Sequence, residues 1–121
     1  MVYERLLAPP DQFVQVVRAF VRNGGRGLNV TLPFKLQAFA LAHRLSPRAQ
    51  AAGAVNTLRF DADGAFGDNT DGVGLVNDIQ VRLACPLAGK AVLLLGAGGA
   101  ARGVLAPLLA AGVARLTVLN R

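Results

Sequence analysis

Apolar residues recur at helical spacing from Asp11 onward. Phe13, Val16, Val17, Phe20 and Val21 fall on one face, which predicts a helix capped by Asp11 and running to about Asn23. Gly24, Gly25 and Gly27 end it. Residues 28–31 form a short apolar stretch that reads as a strand. Pro33 suits the first turn of a helix, and helical spacing continues over residues 34–45. Ser46-Pro47 opens a further short turn or helix. Residues 54–60 read as a strand, and Asp61-Ala62-Asp63-Gly64 is a hairpin signal into a return strand near Ala65-Phe66-Gly67. From Asp71 to about Leu83 the pattern is helical again, with Val73, Val76, Ile79 and Leu83 on one side.

The pattern changes after Cys85-Pro86-Leu87-Ala88-Gly89, which reads as a linker. Residues 90–95 predict a fully apolar strand, residues 96–99 a tight turn, residues 100–111 a helix of small residues ended by Gly112, and residues 115–119 a second apolar strand. Strand, helix and strand in that order imply a parallel pair with a right-handed crossover. The fold class is therefore α/β: an α/β region over residues 1–86, then the opening of a doubly wound sheet over residues 87–121. A parallel sheet needs both faces covered, and one helix on two strands is a small core. The sequence accordingly reads as stopping within its second domain.

The chain has 121 residues, of which 53% are hydrophobic and 17% charged, a balance that suits a folded core rather than disorder. No apolar run reaches the roughly 18 residues of a membrane span. No basic segment followed by an apolar core opens the chain, so a secretion signal is not expected. The single cysteine, Cys85, cannot pair within the chain, which agrees with a reducing cytoplasm. Net charge is +6, almost all from arginine, but the arginines are scattered and do not interleave with aromatics. A nucleic-acid partner needs a clustered patch, so none is expected. The field suits small anions instead.

Gly96-Ala97-Gly98-Gly99-Ala100-Ala101 matches G-x-G-x-x-A between a predicted strand and helix. The first Gly permits the turn, the second lets backbone approach a pyrophosphate, and Ala101 allows close helix–strand packing. The helix start offers free N–H groups to phosphate. Glycines also make ordinary turns, and it is the strand-turn-helix-strand context that favours a dinucleotide. At the end of the second strand stand Asn120 and Arg121 rather than the acid of an NAD-selective site. No carboxylate there repels a 2′-phosphate, and Arg121 can bind one, which favours NADP. The plain alternative for Arg121 is a solvated side chain.

Asn29-Val30-Thr31-Leu32-Pro33-Phe34-Lys35 places Lys35 in the first turn of a helix, where the dipole disfavours a cation. Lysine otherwise occurs only at Lys90. Lysine in place of arginine makes sense where a proton must move; a surface lysine is the alternative. Asp68-Asn69-Thr70-Asp71-Gly72 is a polar cluster before a helix. Capping by Thr70 or Asp71 accounts for part of it, with more polar groups than capping needs. Asn56 sits inside a predicted apolar strand, as a satisfied structural amide or as a ligand contact. His43 and Cys85 lack partners at metal-binding or nucleophile spacing, so no metal is expected.

Taken together, residues 29–35 (NVTLPFK), 53–57 (GAVNT), 67–74 (GDNTDGVG), 96–103 (GAGGAARG) and Asn120-Arg121 resemble shikimate dehydrogenase in order and spacing, over nearly the whole chain from about Asp11. The resemblance implies part of an α/β substrate-binding domain followed by the first β-α-β unit of a Rossmann-type nucleotide domain. It implies reduction of 3-dehydroshikimate to shikimate with NADPH in the cytoplasm, on the route to aromatic amino acids. On it, Lys35 and Asp71 form the catalytic pair, and Thr31 and Asn56 join them in holding the substrate. Gly96, Ala97, Gly98, Gly99 and Ala100 would hold the pyrophosphate, and Asn120 and Arg121 the 2′-phosphate. The implied partner is a small molecule, with no membrane or nucleic acid, and a homodimer is compatible with it.

The family pattern also includes an earlier strand and loop with a serine pair, a Thr and a further Arg after Asn120-Arg121, and a C-terminal helix bearing a substrate-binding Gln. None lies in this sequence, which therefore reads as an internal fragment with little or no activity by itself. The quinate/shikimate dehydrogenase branch is the close alternative; it commonly uses NAD and places an acid where Asn120 stands. A non-catalytic remnant that binds nucleotide is the alternative from another class.

Overall fold

A computed structural model describes residues 2–121. Helix α1 spans Phe13–Arg22 and buries Phe13 and Val17, as its spacing predicts. Asp11 is not its cap. Residues 10–12 are already in a turn, with the Gln12 N–H donating to Pro9 O (3.0 Å), so Gln12 becomes the N-cap and no side chain caps the helix. At the other end Gly24 takes φ +88°, where a side chain is disfavoured.

Strand β1, Gly27–Asn29, is shorter than expected. Beyond it Val30 still donates to Asn56 O (2.7 Å), but Thr31 O then accepts from Phe34 N (3.0 Å) and closes a turn before α2, Lys35–Leu41. Pro33 therefore lies in that turn and not in the helix. The helix also ends well before residue 45. Ala42 is extended (ψ 132°), and β2, Arg44–Leu45, pairs in parallel with Phe66 and Gly67. Leu41 and Leu45 both pack against the same core, which is why the apolar spacing of a helix continues past its end. His43 joins this edge as a satisfied structural histidine: its Nδ1 accepts from Ala65 N (3.0 Å).

Helix α3, Pro47–Ala52, is capped by Ser46, whose Oγ accepts from Ala49 N (3.1 Å). Strands β3, Thr57–Asp61, and β4, Gly64–Asp68, form the predicted hairpin, with Gly64 at φ +99°. The sheet order is β1-β3-β4-β2. Its core gathers Phe13, Val17, Val30, Ala38, Ala49, Val55, Leu58 and Ala65. Phe13 stacks on Phe34 with ring centroids 4.8 Å apart, which pins the turn before Lys35.

Helix α4, Asp71–Asn77, runs on into a π-helical turn, Asp78–Arg82. The wider turn changes the helical register. Val76 and Ile79 pack inward, while Val73 and Leu83 of the expected stripe are exposed. Strand β5, Ala91–Leu95, helix α5, Gly99–Ala110, and strand β6, Arg115–Leu119, form the predicted unit, with β5 and β6 parallel. Leu87, Val104 and Leu108 make a second core with Val76, Ile79, Val92, Leu94 and Leu116, so residues on both sides of the predicted linker share it. Leu93, Leu95 and Leu119 on the other sheet face are exposed. No helix among the described residues is long and apolar enough to cross a membrane.

Candidate active site

Lys35 is the first residue of α2, and Asp71 is the first of α4. The fold brings these two helix starts together: Lys35 Nζ donates to Asp71 Oδ2 at 2.6 Å. The lysine is 8% exposed and held by backbone as well, since its carbonyl accepts from Val55 N (2.9 Å). A buried ammonium at a helix N-terminus is doubly disfavoured, by desolvation and by the helix dipole. Asp71 supplies the compensating charge.

Asn56 completes the cluster. It stands just ahead of β3, where its carbonyl accepts from Val30 N (2.7 Å) and its N–H donates to Asp68 O (3.0 Å). Its Nδ2 donates to Asp71 Oδ1 (2.8 Å) and Thr70 Oγ1 (3.0 Å), and its Oδ1 accepts from Thr70 N (3.0 Å). Both carboxylate oxygens of Asp71 are thus engaged, one by an ammonium and one by an amide. Thr31 is not drawn in: it is exposed, and its side chain makes no hydrogen bond among the described residues.

The turn before α4 explains the surplus of polar residues. Neither Thr70 nor Asp71 caps the helix with its side chain. Asn69 does the equivalent work: asparagine is a favoured cap, and it stands one residue ahead of the two capping candidates the sequence suggests. It is 2% exposed; its Oδ1 accepts from Asp71 N (3.1 Å) and its Nδ2 donates to Ala54 O (3.0 Å). Asp68 anchors the turn from behind. Its Oδ1 accepts from Ser46 Oγ (2.6 Å), Arg48 Nε (2.7 Å) and Asn69 N (2.8 Å), while Arg48 also reaches Oδ2. The hydrogen-bonded Arg48 guanidinium holds the Asp68 carboxyl down to about 2, against the opposing effect of burial. Ser46 and Arg48 are legible in the sequence only as a helix opening, since nothing local shows their partner to be twenty residues away.

A second concavity lies at the ends of β5 and β6, lined by Leu95, Gly96, Ala97, Gly98, Leu119, Asn120 and Arg121. Gly96 takes φ +98°, and its N–H donates to Leu119 O (2.8 Å), tying the turn to the end of β6. Gly98 is the N-cap of α5, and no side chain caps that helix. A Cβ on Gly96 or Gly98 would meet nothing within 4 Å, so the space before the turn is open to a ligand's phosphates. The turn and Asn120-Arg121 line the same concavity. The two sites also meet: Gly99, at the start of α5, packs on the Lys35 side chain.

No group of His, Cys, Asp and Glu suited to a metal ion occurs among the described residues. A sequence profile described as the shikimate dehydrogenase substrate binding domain matches residues 1–58. The NADP(+) shikimate dehydrogenase of Aromatoleum aromaticum is 66% identical over 119 residues, 98% of this chain and 43% of that protein. Over 98% of its length the chain is thus similar to shikimate dehydrogenase. Solved family structures superpose on it. Shikimate dehydrogenase from Aquifex aeolicus is 32% identical with a TM-score of 0.85, over 94% of this chain and 42% of that one. Shikimate 5-dehydrogenase from Thermus thermophilus, in complex with NADP(H) and shikimate, is 39% identical with a TM-score of 0.81, over 94% and 42%. The chain spans about 43% of the length of the curated shikimate dehydrogenases it matches.

Proposed function

We propose that this chain carries the proton-transfer pair and the first nucleotide-binding turn of an NADPH-dependent reductase that converts 3-dehydroshikimate to shikimate. The observation that carries this reading is the Lys35–Asp71 hydrogen bond, braced by Asn56 and seated against the start of α5. Similarity to a relative solved with NADP(H) and shikimate supports the choice of ligands. Bound NADPH supplies a hydride to the carbonyl carbon. Negative charge then grows on the carbonyl oxygen, and Lys35 Nζ stabilises it and delivers the proton that completes the hydroxyl. Asp71 holds the ammonium in place and takes part in its reprotonation. Asn56 fixes the Asp71 carboxylate on the substrate's behalf, and the exposed Thr31 hydroxyl is free to bond a substrate hydroxyl.

Gly96, Ala97, Gly98, Gly99 and Ala100 hold the pyrophosphate at the α5 N-terminus. Asn120 and Arg121 hold the 2′-phosphate, and the absence of an acid at the end of β6 is what favours NADP over the NAD-using quinate branch. Residues 1–86 form the substrate-binding part and residues 87–121 open the Rossmann-type part. The pathway is that of aromatic amino acids, and the exposed free thiol of Cys85 suits the cytoplasm.

The test is a hybrid in which residues 1–121 replace the matching segment of the Aromatoleum aromaticum enzyme. It is expected to reduce 3-dehydroshikimate with NADPH. Lys35→Ala in the hybrid should lower kcat by about 100-fold or more, as loss of a general acid does, with a much smaller change in KM. An unchanged kcat would remove Lys35 from the mechanism.

A further inference from the structure

Helix α5 does more than open with a glycine turn. Gly99 and Gly103 lie one helical turn apart and therefore share a face. A Cβ on Gly99 would stand 3.2 Å from Cβ and 3.6 Å from Cδ of Lys35. A Cβ on Gly103 would stand 2.8 Å from Oδ1 and 2.9 Å from Nδ2 of Asn69. Asn69 is the residue whose Oδ1 receives the Asp71 N–H. One member of the pair therefore rests on α5 directly, and the other through Asn69. Gly72, beside Asp71, belongs to the same contact: its Cβ would lie 2.3 Å from Gly103 O and 2.5 Å from Pro107 Cγ.

The G-x-G-x-x-A spacing does not call for glycine at either residue 99 or residue 103, since a backbone N–H at residue 99 can serve the pyrophosphate whatever its side chain. Gly96, Gly98 and Ala101 satisfy G-x-G-x-x-A, while Gly99 is a free position within it and Gly103 lies outside it. Backbone conformation does not require them either, because neither is among the residues with positive φ. Both sit in a helix, where alanine is intrinsically preferred. Space is the remaining constraint, and the atoms that occupy it belong to Lys35 and to the amide orienting Asp71.

We propose that Gly99 and Gly103 are positioning residues for the Lys35–Asp71 pair, so that the helix beginning at the nucleotide turn is also the surface against which the pair is set. The catalytic meaning of this contact rests on the function proposed above; the contact itself does not. Displacing α5 by a few tenths of an ångström moves the pair, whereas a substitution on the exposed face of α5 does not.

The experiment compares Gly99→Ala, Gly103→Ala and Ala106→Gly in the isotopically labelled full chain. Ala106 is exposed on the same helix, so its variant changes helix propensity without touching the pair. NMR would follow the Lys35 ammonium, the Asp71 carboxyl carbon and Asp71 amide exchange. Gly99→Ala should shift the first two signals. Gly103→Ala should speed Asp71 amide exchange about three- to tenfold relative to neighbouring amides, the equivalent of one lost hydrogen bond. Asn69→Ser in the Gly103→Ala background relieves the clash yet keeps an oxygen acceptor, and should restore Asp71 protection. That rescue separates orientation from general loosening and keeps the test readable if Gly103→Ala alone does not fold. Lys35 and Asp71 signals in both glycine variants matching those of Ala106→Gly would overturn the proposal, as would failure of the serine rescue. Either result is independent of whether Lys35→Ala abolishes turnover, so the two readings fail separately.

Discussion

Removing the charge of Asp68 while keeping its shape tests how the turn bearing Asp71 is anchored. Asp68→Asn leaves an oxygen for Ser46 and for the Asn69 N–H but breaks the ion pair with Arg48. The carboxyl drops from its ordinary 3.8 to about 2 in the fold. At 1.36 kcal/mol per unit, that difference amounts to roughly 2.5 kcal/mol. The Arg48 side chain is 43% exposed, so solvent screening brings the expected contribution to about 1 kcal/mol. A carboxyl depressed on folding stabilises the fold above its unfolded value and loses that contribution as pH falls through its folded one. Urea midpoints of the chain and of Asp68→Asn should therefore differ by a constant amount from neutral pH down to about 5, and the gap should close by about pH 2. A gap that persists unchanged at pH 2, or none at neutral pH, would refute the ion pair as the anchor.

Leu58→Ala removes the largest fully buried side chain of the first core and should cost about 2–5 kcal/mol in the same urea assay; a loss below about 1 kcal/mol would mean that this core is not close-packed. Arg121→Glu places a carboxylate where the 2′-phosphate is expected. In the hybrid enzyme it should raise KM for NADPH about tenfold or more with little change for NADH; equal effects on both would remove Arg121 from that role.

Local signals account for nearly all of the second half of the chain. Strand β6 falls on residues 115–119 as predicted, and β5 and α5 within one residue, because an apolar strand, a left-handed Gly96 and a run of small helical residues are each declared by neighbouring residues. The first half is harder to read. Helical spacing carries through residue 45, but pairing of Arg44 and Leu45 with β4 pulls the chain out of the helix at Ala42. Residues 54–56 have strand-like composition yet lie outside β3, because their backbone groups serve Lys35, Asp68 and Asn69. Strand pairing and long-range hydrogen bonds are tertiary events, so periodicity has no access to them.

By itself the sequence determined the chemistry on offer: a lysine at a helix start, a run of Asp68, Asn69, Thr70 and Asp71, a glycine turn after an apolar strand, and an asparagine followed by an arginine after the second apolar strand. Each is a local property of residue type and spacing. Only the tertiary structure decided how these groups act on one another. It put Lys35 Nζ 2.6 Å from Asp71 across 36 residues of chain, gave Asn69 and not Thr70 the task of holding the Asp71 N–H, and set α5 against both. Those distances depend on the loops closed between the segments and on which small residues let backbones approach, and neither is encoded in any one stretch of the chain.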